Sequence, residues 1–126
     1  MNNFFLHRRT LILALLVSAF STAGYATEAT PDTISDVRCL VAASVSIGMT
    51  NDLDLQESFR NSIFYYLGRL DGRASELDIQ QLSRTELKKM SPKDIAVEDM
   101  RCGKEFALRG DLLSSMGQSL QKETSK

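Results

Sequence analysis

The chain has 126 residues, of which 43% are apolar, 25% charged and 7% aromatic. This balance is typical of one globular domain and excludes a disordered chain or a polytopic membrane protein. Its 15 basic and 16 acidic side chains give a net charge of −1, so no basic excess would attract the phosphates of a nucleic acid.

Residues 1–26 have the three parts of a secretory signal peptide. Arg8 and Arg9 come first, an apolar run at 11–20 follows, and small residues close the segment at Ala26. The run is shorter than the about 20 residues that a helix needs to cross a bilayer core. We therefore expect cleavage after Ala26 and a periplasmic or secreted domain at 27–126 without a lasting membrane span. The alternative is an uncleaved N-terminal anchor.

The export route follows from the same segment. Arg8 and Arg9 weakly resemble a twin-arginine signal, but the apolar run favours general secretion, and no cofactor site that would require folding before export follows. Cleavage would leave 13 basic against 16 acidic side chains, a net charge of −3, and would remove the single histidine, His7.

The two cysteines, Cys39 and Cys102, would then enter an oxidising compartment, where disulfides form and persist. Two cysteines allow one intramolecular pair, so we predict a Cys39–Cys102 disulfide that stabilises the fold by roughly 4 kcal/mol. Two separate buried thiols are the alternative. A redox pair is disfavoured because the spacing is not Cys-x-x-Cys.

The first predicted helix follows a polar leader at 27–31 and opens a core that we place at about 33–121. Thr33 and Asp36 stand three residues apart, as in a capping box, and predict that the helix begins there. Apolar residues then recur at helical spacing and place Cys39 on or near the inner face. Turn-forming residues at 48–52 end the helix.

The second predicted helix runs from about residue 54 to residue 71. Gly72 is expected to end it in the left-handed conformation. A second capping-box match, Ser75 with Asp78, predicts a third helix through Met90, the most exposed of the four. The apolar stripe of the second helix consists of Phe59, Ile63, Tyr66 and Leu70.

The fourth helix is predicted from Ser91-Pro92-Lys93-Asp94, a capping box with proline at the first position, to about Gln121. Glycines and large apolar residues alternate along it at three-four spacing, which predicts a seam against another helix. We take the stripe of the second helix as the partner and expect Gly103→Leu and Gly110→Leu to destabilise the fold. The alternative is chance spacing on an exposed helix. The alternating residues are Gly103, Phe106, Gly110, Leu113, Gly117 and Leu120.

Together these elements predict an all-α fold: a small bundle of about four helices with a long C-terminal helix, stapled by one disulfide. Without His7 the mature chain cannot build a Ser-His-Asp triad or a histidine-containing zinc site, and the disulfide would remove the thiolate nucleophile. No phosphate-binding glycine loop or His-Glu-x-x-His motif is present. We therefore expect no catalytic residues, no metal and no cofactor. An enzyme that uses carboxylates alone is the remaining catalytic alternative.

Acidic residues offer little beyond surface roles. Asp52 and Asp54 are interpreted as a solvated helix start rather than a cation loop, which would need a glycine and a distal glutamate. Glu98 and Asp99 point about 100 degrees apart on a helix, so we place them on a charged outer face. The tripeptide at 109–111, Arg-Gly-Asp, falls mid-helix and is taken as coincidence.

The candidate partner-binding residues are Tyr65, Arg69, Asp71 and Arg73. Tyrosine and arginine are enriched at binding hot spots, and this stretch holds two of each within nine residues. The alternative is that Tyr66 belongs to the core, Tyr65 is partly buried and the arginines lie at a helix end.

Three motifs resemble a family of small exported bacterial proteins to which no activity is assigned. They lie at 36–40 (Asp-Val-Arg-Cys-Leu), at 64–73 (Phe-Tyr-Tyr-Leu-Gly-Arg-Leu-Asp-Gly-Arg) and at 101–103 (Arg-Cys-Gly). The resemblance implies an exported helical protein with a paired cysteine near each end. A looser likeness, of architecture alone, is to periplasmic acid-stress chaperones.

The function expected from the sequence is a non-enzymatic periplasmic interaction module that binds another envelope protein. The alternatives are a carrier of a small apolar ligand, with a cavity lined by residues such as Phe59, Ile63 and Phe106, or a periplasmic stress protein that resembles a chaperone. The sequence predicts neither the oligomeric state nor the order in which the helices pack.

Overall fold

The computed structural model describes residues 28–125, which form four α-helices: α1 (Pro31–Ile47), α2 (Leu53–Ala74), α3 (Ile79–Leu87) and α4 (Pro92–Thr124). The predicted all-α bundle, with its long C-terminal helix and its Cys39–Cys102 disulfide, is confirmed. The predicted signal peptide and its cleavage point lie outside the described residues. Within 28–125, no helix has the length and apolarity that a bilayer crossing requires.

Helix α1 begins earlier than the sequence predicts. Thr30 is the N-cap, its hydroxyl accepts a hydrogen bond from the Thr33 amide at 3.2 Å, and Pro31 occupies the first helical turn. The predicted capping box at Thr33 and Asp36 is therefore wrong, since Thr30 and Pro31 supply the cap one turn upstream. Both residues instead lie inside the helix with their side chains buried.

Helix α2 continues past Gly72 and ends at Ala74, so the predicted stop at Gly72 is wrong. Ala74 is 3% exposed, and its burial extends the helix by one turn beyond Leu70. The predicted capping box at Ser75 is also wrong. Asp78 itself is the N-cap of α3 and accepts a hydrogen bond from the Gln81 amide at 2.9 Å.

Two other predicted helix starts are confirmed. Asp52 caps α2 by accepting hydrogen bonds from the amides of Asp54 and Leu55. Ser91 and Asp94 form the predicted capping box of α4. Helix α3 ends at Leu87 rather than at Met90, and a short turn then leads into this box.

Helix α1 is the centre of the fold, because it packs against each of the other three helices. One core cluster joins Val37 and Val41 to Leu70, with side chains of α3 packed against it. The second cluster holds the disulfide and Tyr66. The disulfide attaches α4 to α1 through Cα atoms that lie 5.5 Å apart.

Helix α4 is the most exposed helix of the described chain, and the prediction that α3 would be is wrong. Cys102 is the one residue that α4 buries, and every residue at 107–125 is exposed. At 1.5 Å per residue, its 33 residues span about 50 Å, twice the length of the 17-residue α1. Its C-terminal half therefore extends beyond the body of the fold.

The predicted seam between α4 and α2 extends only to Phe106, and its remaining residues have no partner in α2. A Cβ atom added at Gly103, Gly110 or Gly117 would meet nothing within 4 Å. Leu113 is 68% exposed, whereas Phe106 is partly buried, with its ring 5.7 Å from that of Tyr65. The helices diverge after Phe106, so α2 does not pack against Gly110 or Gly117, and a Cβ atom has open space at each of the three glycines.

Candidate functional site

Arg69 lies where α1, α2 and α4 meet, a contact that we call the joint. It is placed on α2 one turn after Tyr65, and its Nη1 donates a 3.0 Å hydrogen bond to the Tyr65 hydroxyl. Its Nη2 forms an ion pair with Asp36 of α1 at 3.0 Å, and its Nη1 also pairs with Glu105 of α4. Burial disfavours the charged guanidinium, but the hydrogen bonds with Glu105 and Tyr65 raise the pKa of Arg69 above its usual value.

Asp36 is the acceptor at this joint and is 3% exposed at its side chain. Arg73 adds a second ion pair to it at 3.0 Å, one turn after Arg69 on α2. Burial raises the pKa of Asp36 above its usual value, and the two guanidinium groups offset only part of that effect.

The structure therefore brings three of the four predicted partner-binding residues together: Tyr65, Arg69 and Arg73. Asp71 is exposed on α2 and forms none of these ion pairs. Sequence reasoning missed Asp36 and Glu105. The available indication was that Asp36 precedes Cys39 by three residues, which places both on one face of α1.

Tyr66 lies beneath this joint and is fully buried, as expected of a core residue. Its hydroxyl donates a 3.0 Å hydrogen bond to the carbonyl of Cys102, and burial raises the pKa of Tyr66 well above its usual value. Tyr65 is partly buried and meets Tyr66 edge to face, with ring centroids 4.9 Å apart. The two tyrosines thus attach α2 to the cross-linked segment of α4.

The disulfide lies in a buried setting beside Arg101, whose Nη2 is 3.0 Å from the Cys39 sulfur and donates to the Ser35 carbonyl at 3.2 Å. Glu98 approaches the two sulfurs, and its carboxylate and the sulfur atoms lie within 4.8 Å of one another. In the disulfide neither sulfur is a thiolate, which is the form that binds metal. The cluster is therefore a structural cross-link, and the ion pair between Arg101 and Glu98 lies beside it.

Glu86 anchors α3 to α1 in a similar way. Its side chain is 1% exposed, and it accepts hydrogen bonds from Arg38 at 2.9 Å and from Lys89 at 2.6 Å. Burial alone would raise the pKa of Glu86, but these two donors bring it below its usual value. Sequence reasoning missed this residue, since α3 was expected to be exposed.

Glu98 and Asp99 do not form the predicted charged outer face, because both are partly buried. Asp99 accepts a hydrogen bond from Ser46 of α1, and burial raises the pKa of its carboxyl group. It lines a cleft of about 230 Å³ between α2 and α4, together with Phe59, Gly103 and Phe106. The cleft contains two residues of the predicted ligand cavity, Phe59 and Phe106, but not Ile63.

A larger apolar groove lies on the opposite side of α1. It has a volume of about 480 Å³ and is open to solvent between α1, α2 and α3. Its apolar lining includes Leu40 and Val45 of α1, Leu67 of α2, and Ile79 and Leu87 of α3. Its surface suits an apolar occupant.

The largest departure from ordinary surface chemistry is in the C-terminal half of α4. Five large apolar side chains there are between 50% and 68% exposed. We call them the distal apolar face: Leu108, Leu112, Leu113, Met116 and Leu120. The Arg-Gly-Asp tripeptide at 109–111 lies in the same stretch, mid-helix as expected.

In comparisons with known proteins, no protein-family model, no curated protein and no solved structure matches the chain.

Proposed function

We propose that the protein is an exported, non-enzymatic helical interaction module, and that its contact surface is the distal apolar face of α4. The observation that carries this proposal is the exposure of five large apolar side chains on one projecting helix. Contiguous apolar patches on soluble proteins mark sites of protein or membrane contact.

Helix stability supports the same proposal. The 18 residues at 107–124 are all exposed, so this part of the helix lacks the tertiary packing that supplies most helix stability in proteins, and Gly110 and Gly117 each lower its helix propensity. A partner that covers the distal apolar face would stabilise the helix and remove apolar surface from water. We therefore expect the C-terminal half of α4 to become a stable helix when it binds a partner.

The rest of the molecule holds α4 in a fixed position. Arg69 and Arg73 are engaged by Asp36, and Arg69 also by Glu105, so the motif at 65–73 serves chiefly as the joint that holds α4. The buried disulfide fixes the same segment covalently and suits the oxidising compartment that the leader implies.

Site-specific photo-cross-linking in the native envelope tests the contact surface. A photoreactive residue at position 113 is expected to form a covalent adduct with a protein partner. The matched control at position 118, on the opposite face of α4, is expected to form none. Equal adducts at both positions, or none at position 113, would contradict the assignment. N-terminal sequencing of the same material tests export and should find Thr27 first.

A second candidate function is transport of a small apolar molecule, which the groove between α1, α2 and α3 favours. Native mass spectrometry of envelope-purified protein would then show bound apolar mass. Val45→Arg, inside the groove, should abolish that mass, whereas Met49→Arg, at an exposed position outside it, should retain it. Retention in both variants would exclude the groove as the binding site.

A further inference from the structure

We infer that the cleft between α2 and α4 binds a small organic cation, whose ammonium group pairs with Asp99 and whose hydrocarbon part contacts Phe59 and Phe106. All three residues line the cleft, which has a volume of about 230 Å³. This volume is below the roughly 300–1,000 Å³ of pockets that take drug-sized molecules, so the ligand is an aliphatic amine of a few carbon atoms. The cleft is separate from the distal apolar face and does not depend on what that face binds.

Asp99 lacks the cationic partner that comparable carboxylates have. Within residues 28–125, five carboxylate side chains are buried or partly buried, and four of them form an ion pair with an arginine or a lysine. Asp99 forms none of these ion pairs and accepts a hydrogen bond from the Ser46 hydroxyl. A partly buried charge without an opposite charge is costly, and burial accordingly raises the pKa of Asp99. A cation that enters the cleft would remove this cost. The four paired carboxylates are those of Asp36, Glu86, Glu98 and Glu105.

The rest of the cleft lining suits the same ligand. Phe59 comes from α2 and Phe106 from α4, and the face of an aromatic ring attracts an organic cation. The two rings also provide apolar surface for an alkyl chain. Ser62, which is buried, lines the cleft too, and its hydroxyl group is able to accept a hydrogen bond from an ammonium group. No basic residue is among the described residues that line the cleft. The lining therefore favours an alkylammonium ion over a neutral molecule or an anion.

The test is titration of the purified full chain with n-butylammonium chloride at pH 7, followed by NMR of the backbone amides. We expect saturable binding, with the largest chemical-shift changes in the segments that line the cleft, 58–62 and 99–107. Two probes of similar length separate charge from apolar contact. Neutral 1-butanol and the pentanoate anion should each bind about tenfold more weakly or less. Equal binding of 1-butanol and n-butylammonium would overturn the inference.

Variants then assign the charge and the location. Asp99→Asn keeps the size and an acceptor for Ser46 but removes the charge, so it should weaken n-butylammonium binding about tenfold or more. Asp111→Asn, at an exposed position of α4, changes the net charge equally and should leave binding unchanged. Gly103 lines the cleft and has open space for a side chain, so Gly103→Leu should fill the cleft and abolish binding. Gly117→Leu, outside the cleft, is its matched control and should retain binding.

Each further outcome has one meaning. Circular dichroism should show every variant folded, because Asp99→Asn removes a partly buried charge and the other three positions are exposed. Binding that survives Asp99→Asn but not Gly103→Leu would show an apolar site and overturn the cation. Equal weakening by Asp99→Asn and Asp111→Asn would show general attraction to an acidic chain and overturn the cleft. The absence of saturable binding to wild type would also overturn it. Cross-linking at position 113 tests the proposed function separately.

Discussion

The two halves of α4 carry one continuous pattern but have opposite surroundings. Residues 92–106 contact α1 and α2 through the disulfide, the Tyr66 hydrogen bond and the Arg69–Glu105 pair. Residues 107–124 have none of these contacts and are exposed throughout. The seven-residue spacing of glycine and large apolar residues runs through both halves. Spacing therefore specifies which face of a helix is apolar, but not which surface covers that face.

The largest expected effect comes from removing the disulfide that anchors residues 92–106 of α4. Replacing both cysteines by alanine removes a cross-link between residues 63 apart, which on the chain-entropy model should lower the free energy of unfolding by about 4 kcal/mol. Urea unfolding followed by circular dichroism measures the change. Leu113→Asp, in the distal half, is the matched control and should leave the midpoint of dilute protein unchanged. Equal midpoints for wild type and the double variant would show that the cross-link contributes nothing.

Arg69→Ala tests the ionic part of the joint. It leaves buried Asp36 with Arg73 alone and removes the pair with Glu105, so the free energy of unfolding should fall by about 2 kcal/mol, discounted because Arg69 is 27% exposed at its side chain. Arg109→Ala, on the distal half, should leave the denaturant midpoint unchanged. If Arg69→Ala and Arg109→Ala lowered the free energy of unfolding equally, the two halves of α4 would not differ in how they contribute to stability.

The anchoring of α3 should depend on pH. The pKa of Glu86 is lowered in the folded state, so its stabilising effect is complete above the unfolded value of about 4.5 and is lost as the pH falls through the lower folded value. Glu86→Gln should therefore cost about 1.5 kcal/mol at pH 7 and progressively less as the pH falls below about 4.5. Urea unfolding of both proteins at several pH values measures this difference. A stability difference between wild type and Glu86→Gln that grows as the pH falls would contradict this prediction.

The buried carboxylates of Asp36 on α1 and Asp99 on α4 act in the opposite direction. The pKa values of Asp36 and Asp99 are raised, so their folded-state penalty disappears as they protonate in acid. Because both residues are present in wild type and in Glu86→Gln, the difference between these two proteins isolates Glu86.

The smallest expected effects come from glycines in helix interiors. Gly68→Ala on α2 should raise the free energy of unfolding by about 0.5–1 kcal/mol, because a Cβ there meets nothing within 4 Å and alanine favours the helix. Gly117→Ala should increase helix content without moving the global midpoint of dilute protein. A global shift from Gly117→Ala would mean that the distal half unfolds together with the body.

How much of this architecture the sequence predicts depends on whether the decisive interaction is local. The capping box at Ser91 and Asp94 is a set of local hydrogen bonds and is predicted correctly, and the helix start interpreted at Asp52 and Asp54 is likewise local. The disulfide is predicted because two cysteines allow one pairing. The stop at Gly72 is predicted wrongly because burial of Ala74 against the body outweighs the local preference of glycine.

The site shows the same limit. Composition singles out Tyr65, Arg69 and Arg73, which the structure brings together, but their counterpart Asp36 is 33 residues away in sequence from Arg69 and is assigned to a cap. The seam pattern of α4 is detected, but α2 lies beside it only as far as Phe106. Residue spacing on one helix contains no information about where the neighbouring helix diverges.

Hydrogen–deuterium exchange along α4 of the full chain, measured at low and high protein concentration, tests the central claim most directly. We predict that amides at 92–106 are protected at both concentrations, whereas those at 107–124, which are exposed throughout, exchange rapidly in dilute protein. Equal protection of the two halves at every concentration would contradict it.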